Sequence, residues 1–229
     1  MTESPRSVRF VLVGLGRCGS NLLKFALAQN PEINMVGEYF NRNVHPESVT
    51  ECGAERAKQF FDYSKVHASG FKLFEHQARR KPAKSVWRLL ADDPELKVIH
   101  LSRKNSFKRL LSLKLAQSGR RWVAEATDTD IRINLPPETW AEMITQDEER
   151  KAKLEHIFTK QRSERVFYED MILQWHRYAW ALQEFLEVAP IELNKTLKKQ
   201  ESMTPSERCP NYGDLVTYCS DTNRAWMFD

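Results

Sequence analysis

A short apolar run, Val8-Arg9-Phe10-Val11-Leu12-Val13, opens directly into the turn Gly14-Leu15-Gly16-Arg17-Cys18-Gly19-Ser20-Asn21, which leads into Leu22-Leu23-Lys24-Phe25-Ala26-Leu27-Ala28. The run has the length of one buried strand, and the apolar positions after the turn follow helical spacing. Gly14, Gly16 and Gly19 allow a bend too tight for ordinary side chains. A strand, a glycine-rich bend and a helix start, in that order, predict a bend that aims consecutive backbone N–H groups at one point. The helix N-terminus adds partial positive charge, so an oxyanion is stabilised there without being enclosed.

The residues inside the turn separate the chemistries that use one. Gly14-x-Gly16-x-x-Gly19 fits a dinucleotide fingerprint, and Glu38, after the apolar Ile33-Asn34-Met35-Val36, stands where a ribose-binding acid belongs. Gly14-x-x-x-x-Gly19-Ser20-Asn21 also approaches a nucleoside-triphosphate loop, with Ser20 in place of the lysine that reaches the β/γ-phosphates. The cation inside the turn is Arg17, whose guanidinium suits a sulfated or phosphorylated leaving group. A second segment, Lys97-Val98-Ile99-His100-Leu101-Ser102-Arg103-Lys104-Asn105, reads as a buried strand ending in a cation. A metal-dependent nucleotidase needs Asp at such a strand end to hold Mg²⁺, whereas Arg103 repels the metal and attracts a second phosphate. In the helical stretch that follows, Ser112 lies two turns beyond Asn105 and shares its face, so Arg103 and Ser112 are candidates to grip one phosphate.

These residues resemble the sulfotransferases that use 3′-phosphoadenosine 5′-phosphosulfate, particularly the bacterial branch related to carbohydrate and trehalose sulfotransferases. Gly16-Arg17-Cys18-Gly19-Ser20-Asn21-Leu22-Leu23 is similar to that family's 5′-phosphosulfate loop, and Leu101-Ser102-Arg103-Lys104-Asn105 through Ser112 to its 3′-phosphate segment. Further echoes follow in order: Gly37-Glu38-Tyr39-Phe40-Asn41, Gly70-Phe71-Lys72-Leu73, Tyr168-Glu169-Asp170-Met171, Lys199-Gln200 and Asn211-Tyr212-Gly213-Asp214-Leu215. Cys18 stands where the family often has Ser, and Asn21 where it often has Thr. The resemblance implies a three-layer P-loop-like α/β fold and metal-independent transfer of a sulfuryl group from the nucleotide donor to an acceptor hydroxyl. Adenosine 3′,5′-bisphosphate leaves. It further implies that Gly16, Arg17, Cys18, Gly19, Ser20 and Asn21 hold the 5′-phosphate, that Arg103, Ser112 and Lys199 hold the 3′-phosphate, and that Arg17 meets charge on the bridging oxygen. Glu38 becomes the base, and Lys72 faces the sulfuryl group.

The wider pattern agrees with that layout. Val8 to Val13, Ile33 to Val36, Phe71 to Phe74, Val98 to Leu101 and Arg165 to Phe167 read as short strands, separated by helical stretches such as Glu55 to Tyr63 and Pro82 to Ala91. Alternation of this kind predicts a mainly parallel central sheet flanked by helices. The carboxyl half reads as helical: Pro137 to Phe158, then Tyr168 to Leu186 with a core stripe of Trp175, Tyr178, Ala179, Leu182, Phe185 and Leu186. At 229 residues, with no linker-like stretch, the expectation is a single domain over residues 1–229. The segment Met1 to Arg6 runs into the first strand with no leader or membrane span, which makes a cytoplasmic protein the expectation. Thirty-five basic and 31 acidic residues intermingle for a net charge of +4, so no nucleic-acid partner is implied. Arg79-Arg80-Lys81 and Lys108-Arg109 read as ordinary solvated faces, and so does Arg120-Arg121, although its place near the acceptor loop keeps a binding patch open. Cys18, Cys52, Cys209 and Cys219 lack metal-site or disulfide spacing and read as reduced thiols.

Several assignments have plainer rivals. Glu38 has the rival reading of a capping or salt-bridging carboxylate, and Lys72 reads equally as a snorkelling surface lysine. The sequence alone points to no catalytic partner for His45, His67, His76 or His176, and His100 reads as structural within its strand. Between Gln117 and Pro137 a charged, hydroxyl-rich segment suits an acceptor loop, and Trp122 and Trp140 are candidates to stack on a sugar ring or to anchor the core. A small-molecule or glycan acceptor, on a carbohydrate or glycolipid, follows from the resemblance alone. An NAD(P)-dependent oxidoreductase built on the glycine turn and a non-catalytic nucleotide-binding protein remain as alternatives.

Overall fold

The computed structural model describes residues 7–119, 131–196 and 203–228. Along the chain the elements are β1 (Val8–Gly14), α1 (Ser20–Leu27), β2 (Ile33–Glu38), α2 (Gly53–Asp62), β3 (Ala68–Phe74), α3 (Ser85–Ala91), β4 (Lys97–Ser102), α4 (Ser106–Ser118), α5 (Pro137–Ile157), β5 (Arg162–Phe167), α6 (Tyr168–Leu173), α7 (Trp175–Phe185), α8 (Pro205–Arg208) and α9 (Tyr212–Cys219). Short 3-10 turns lie at Pro46–Val49 and Ala225–Phe228. The chain divides into two compact units, Met1–Ser102 with Lys153–Thr196, and Arg103–Ala152 with Leu197–Asp229.

The first unit carries the sheet. Its five strands are all parallel in the order β2-β3-β1-β4-β5, the α/β architecture that the alternating pattern predicts. Every residue of β3 is buried, as a parallel strand covered on both faces requires. The period of two divides the strands cleanly. Val11, Val13, Phe71, Leu73 and Val98 meet Ala57 of α2 and Val86 and Leu90 of α3 on one face. Leu12 and its neighbour in register, Lys72, turn to the opposite face. That face carries α1, which packs on α7, and beyond α1 the buried Asn30 Nδ2 donates to Gln183 Oε1 at 2.8 Å.

The expected helix from Tyr168 to Leu186 is two helices. Gln174 leaves helical backbone at φ −118° and ψ 46°, and the bend seats Trp175 in the core while Leu173 stays in solvent. The Trp175 indole N–H then donates to Leu193 O at 2.6 Å, a bond that a large buried indole needs. Of the core stripe, Trp175, Ala179, Leu182 and Leu186 are buried.

In the second unit, Phe107, Leu110 and Leu111 of α4 pack with Trp140 and Ile144 of α5, Leu215 of α9, and Met227 and Phe228. Asn105 caps α4, its side chain accepting from Lys108 N at 2.8 Å while its amide donates to Met227 O at 2.6 Å. One open alternative is decided here, for the core anchor, and one reading is corrected. Trp140 is fully buried against Phe107, so its ring has no face to offer a sugar. Arg109 is buried in a two-pronged pair with Asp147, whose other neighbour is Lys151 at 3.3 Å, so the Lys108-Arg109 cluster is not a solvated face. No helix among the described residues is long and apolar enough to cross a membrane.

Candidate functional site

The turn after β1 uses its three glycines for three different reasons. A Cβ on Gly14 would lie 2.3 Å from the Leu101 carbonyl oxygen of β4, so the strand pair closes only around a glycine. Gly19 sits at φ 85°, and a Cβ there would lie 2.5 Å from the Tyr168 ring. Around Gly16 a Cβ would meet no atom of the described residues within 4 Å, so glycine is not demanded there by packing. Gly19 is also the N-cap of α1 and contributes no capping side chain, so the first N–H groups of that helix face the bend uncapped by it. Arg17 is held at φ 71°, a left-handed conformation that costs a branched-chain-free side chain about 1 kcal/mol and is maintained where the surroundings impose it. Cys18 is buried, as a small residue filling a tight loop would be.

Beside this bend the sheet supplies charge. Lys72 lies near the carboxyl end of β3, where the alternation turns it toward α1. Its Nζ donates to Asn21 Oδ1 at 2.6 Å, lies 3.8 Å from Glu38 Oε1, and stands 5.5 Å from the centre of the Phe74 ring. The side chain is 3% exposed, so Lys72 is an interior cation and not a snorkelling one. Burial lowers its pKa from 10.5 to about 8, against the opposing pull of Glu38, and Lys24 adds a smaller lowering.

Glu38 ends β2, next to Lys72 across the sheet. Its Oε2 accepts from Asn41 Nδ2 and from Gln77 Nε2, each at 2.7 Å. Asn21, Lys72 and Glu38 thus form one polar chain from the start of α1 to the end of β2. Gln77 escaped the sequence reading. The signal for it was modest: a buried-strand end, Phe74, followed three residues later by an amide able to bond back to it.

Arg103 and Ser112 belong to the second unit, and Lys199 lies outside the described residues. Arg103 precedes α4 and donates to Lys108 O at 3.4 Å; its own carbonyl accepts from Lys151 Nζ at 2.8 Å. Ser112 is buried on α4. Lys199, Trp122 and the segment from Arg120 to Asp130 lie outside the described residues. His100 is buried beside Phe158, and burial, reinforced by Arg165, lowers its pKa to about 4, so the ring is neutral and structural.

The first unit is therefore a parallel α/β sheet with a glycine-rich bend at its carboxyl edge and a buried cation next to a carboxylate. No protein-family model and no curated protein matches the sequence. Among solved structures the chain is similar to a sulfotransferase from Alicyclobacillus acidocaldarius, with 16% identity and a TM-score of 0.56 over 96% of this chain and 94% of that one. It also aligns with mouse sulfotransferase SULT7A1 complexed with PAP, with 12% identity and a TM-score of 0.47 over 97% of this chain and 88% of that one. The first likeness establishes a shared fold; the second adds no weight.

Proposed function

We propose that the chain is a sulfotransferase that moves a sulfuryl group from 3′-phosphoadenosine 5′-phosphosulfate to an acceptor hydroxyl, on a carbohydrate or glycolipid. The observation that carries this reading is Lys72, buried at the strand edge and bonded to the first turn of α1. A triphosphate loop takes its lysine from within the bend. This bend has Ser20 there, and the cation arrives from the neighbouring strand instead, beside a carboxylate. A buried ammonium is expensive unless it meets an anion, and an ion pair at 3.8 Å leaves room for a second one.

In the proposed reaction Glu38 takes the proton of the acceptor hydroxyl as the new O–S bond forms. The bond from sulfur to the bridging oxygen breaks, and adenosine 3′,5′-bisphosphate departs with that electron pair. Arg17 and Lys72 neutralise the charge that grows on the sulfuryl and bridging oxygens. Backbone N–H groups from Gly16 to Asn21, with the Ser20 hydroxyl, hold the 5′-phosphate in place. Arg103, Ser112 and Lys199 take the 3′-phosphate.

Strand order weighs against the dinucleotide alternative. In that fold β2 borders β1, and its terminal acid reaches the ribose. Here β3 lies between them, so Glu38 is two strand spacings, about 10 Å, from β1 and is engaged by Lys72. Isothermal titration tests the proposal: adenosine 3′,5′-bisphosphate binds without Mg²⁺, loses most affinity in Arg103→Ala, and is not displaced by NAD. Equal affinity for adenosine 5′-monophosphate would refute the 3′-phosphate assignment. Normal nucleotide binding with no sulfuryl transfer from a labelled donor to water or to a panel of hydroxyl acceptors would favour a non-catalytic binding protein.

A further inference from the structure

We infer that Gln77 and Asn41 are positioning residues that restrict proton uptake by Glu38 to one oxygen, Oε1. This inference rests on the reading of Glu38 as the base. Both amides have only one possible orientation. Gln77 Oε1 accepts from the backbone N–H of Phe74 at 3.1 Å, and Asn41 Oδ1 accepts from the backbone N–H of Asn43 at 3.0 Å. A backbone N–H can only donate, so each amide must turn its oxygen toward it and its NH₂ toward Glu38. Glu38 Oε2 therefore receives two donors at 2.7 Å and has no lone pair directed at a third partner. A proton on Oε2 would have to displace one of them. Oε1 receives no hydrogen bond from the described residues, and its charged neighbour is Lys72 at 3.8 Å.

The clamp is built into the fold. Gln77 is 5% exposed, its N–H bonds back to Phe74 O at 2.8 Å, and its carbonyl accepts from the Trp87 indole at 3.1 Å. Asn41 closes a tight turn with its own N–H on Glu38 O at 2.9 Å. The carboxylate is thus fixed at one oxygen from two directions. Its other oxygen lies on the same side as Lys72, the cation assigned to the sulfuryl group. The oxygen left to take the proton is thus the one beside Lys72.

The test uses water as the acceptor, so that no natural acceptor need be known: sulfate released from labelled 3′-phosphoadenosine 5′-phosphosulfate is measured over time. Gln77→Met and Asn41→Ala each remove one charge-assisted donor, and each lowers the release rate about tenfold. Affinity for adenosine 3′,5′-bisphosphate stays at the wild-type value in both. In a Glu38→Gln background neither change lowers the residual rate further, because both act through Glu38. If Gln77→Met fails to fold, Asn41→Ala carries the test alone. Wild-type release in Asn41→Ala, or an equal loss in the Glu38→Gln background, overturns the inference while leaving the base assignment intact. A Glu38→Gln protein that releases sulfate at the wild-type rate overturns both.

Discussion

Replacing Lys72 with methionine separates what the ammonium does for chemistry from what it does to stability. Burial lowers the Lys72 pKa from 10.5 to about 8. At about 1.36 kcal/mol per unit, keeping this lysine charged inside the folded protein costs roughly 3 kcal/mol relative to the unfolded chain. Methionine fills nearly the same volume without charge, and it forfeits the hydrogen bond to Asn21, worth about 1 kcal/mol. The variant is therefore expected to be more stable than wild type near neutral pH, by about 2 kcal/mol, or roughly 4–8 °C in Tm. The gain depends on pH with a definite sign. Below about pH 8 both states of wild type hold the proton and the full cost is present. As pH rises from about 8 to 10.5 the folded protein gives up its proton first, the unfolded chain binds more protons, and wild-type stability climbs. The advantage of the variant shrinks through that window. Urea unfolding followed by circular dichroism across the pH range measures it, and sulfate release from the labelled donor is expected to fall at least a hundredfold. A variant less stable than wild type at neutral pH, or an advantage that does not change with pH, would refute the account of Lys72 as a buried charge kept at the expense of stability.

Acid sensitivity should trace in part to His100, whose burial holds its pKa at about 4 against an ordinary 6.5. The unfolded chain takes up this proton first on acidification, so stability is lost as pH falls from about 6.5 to 4, and His100→Gln flattens the slope of urea-derived stability against pH in that interval by up to roughly 3 kcal/mol in total. The glycine turn offers a paired test. Gly14→Ala drives a methyl into the Leu101 carbonyl and lowers Tm, whereas Gly16→Ala meets no atom of the described residues within 4 Å, leaves Tm unchanged and weakens binding of adenosine 3′,5′-bisphosphate in titration. Asp147→Asn strips the buried Arg109 of its carboxylate and is expected to destabilise the protein by about 3–5 kcal/mol in urea unfolding. Replacing both partners with Met and Leu should recover most of that loss.

The loop from Gly14 to Asn21 was legible because everything that defines it is local: three glycines, one strand and one helix start within a few residues. The parallel sheet was legible for a similar reason, since apolar runs separated by helical spacing have few other ways to be buried. Boundaries were less so, and Gln174 shows why. A helical pattern continued through it, yet burying the Trp175 indole and bonding it to Leu193 required the chain to turn there. Arg109 read as a surface residue, and Trp140 stayed open between ligand stacking and a core anchor, because nothing near them in sequence reveals Asp147 or the Phe107 ring.

The amino-acid order alone determined a glycine-rich bend on an α/β sheet and nominated Arg17 and Arg103 by residue type and place, while Glu38 and Lys72 were nominated through the resemblance of their segments to a known family. Only the tertiary structure decided that β3 lies between β1 and β2, and with it that Lys72 meets Asn21 and Glu38 and that Gln77 clamps one carboxylate oxygen. The physical reason is that the energy of a charge depends on the medium around it and on partners within a few ångströms. Glu38 and Gln77 stand 39 residues apart, and no local pattern in the chain encodes their meeting.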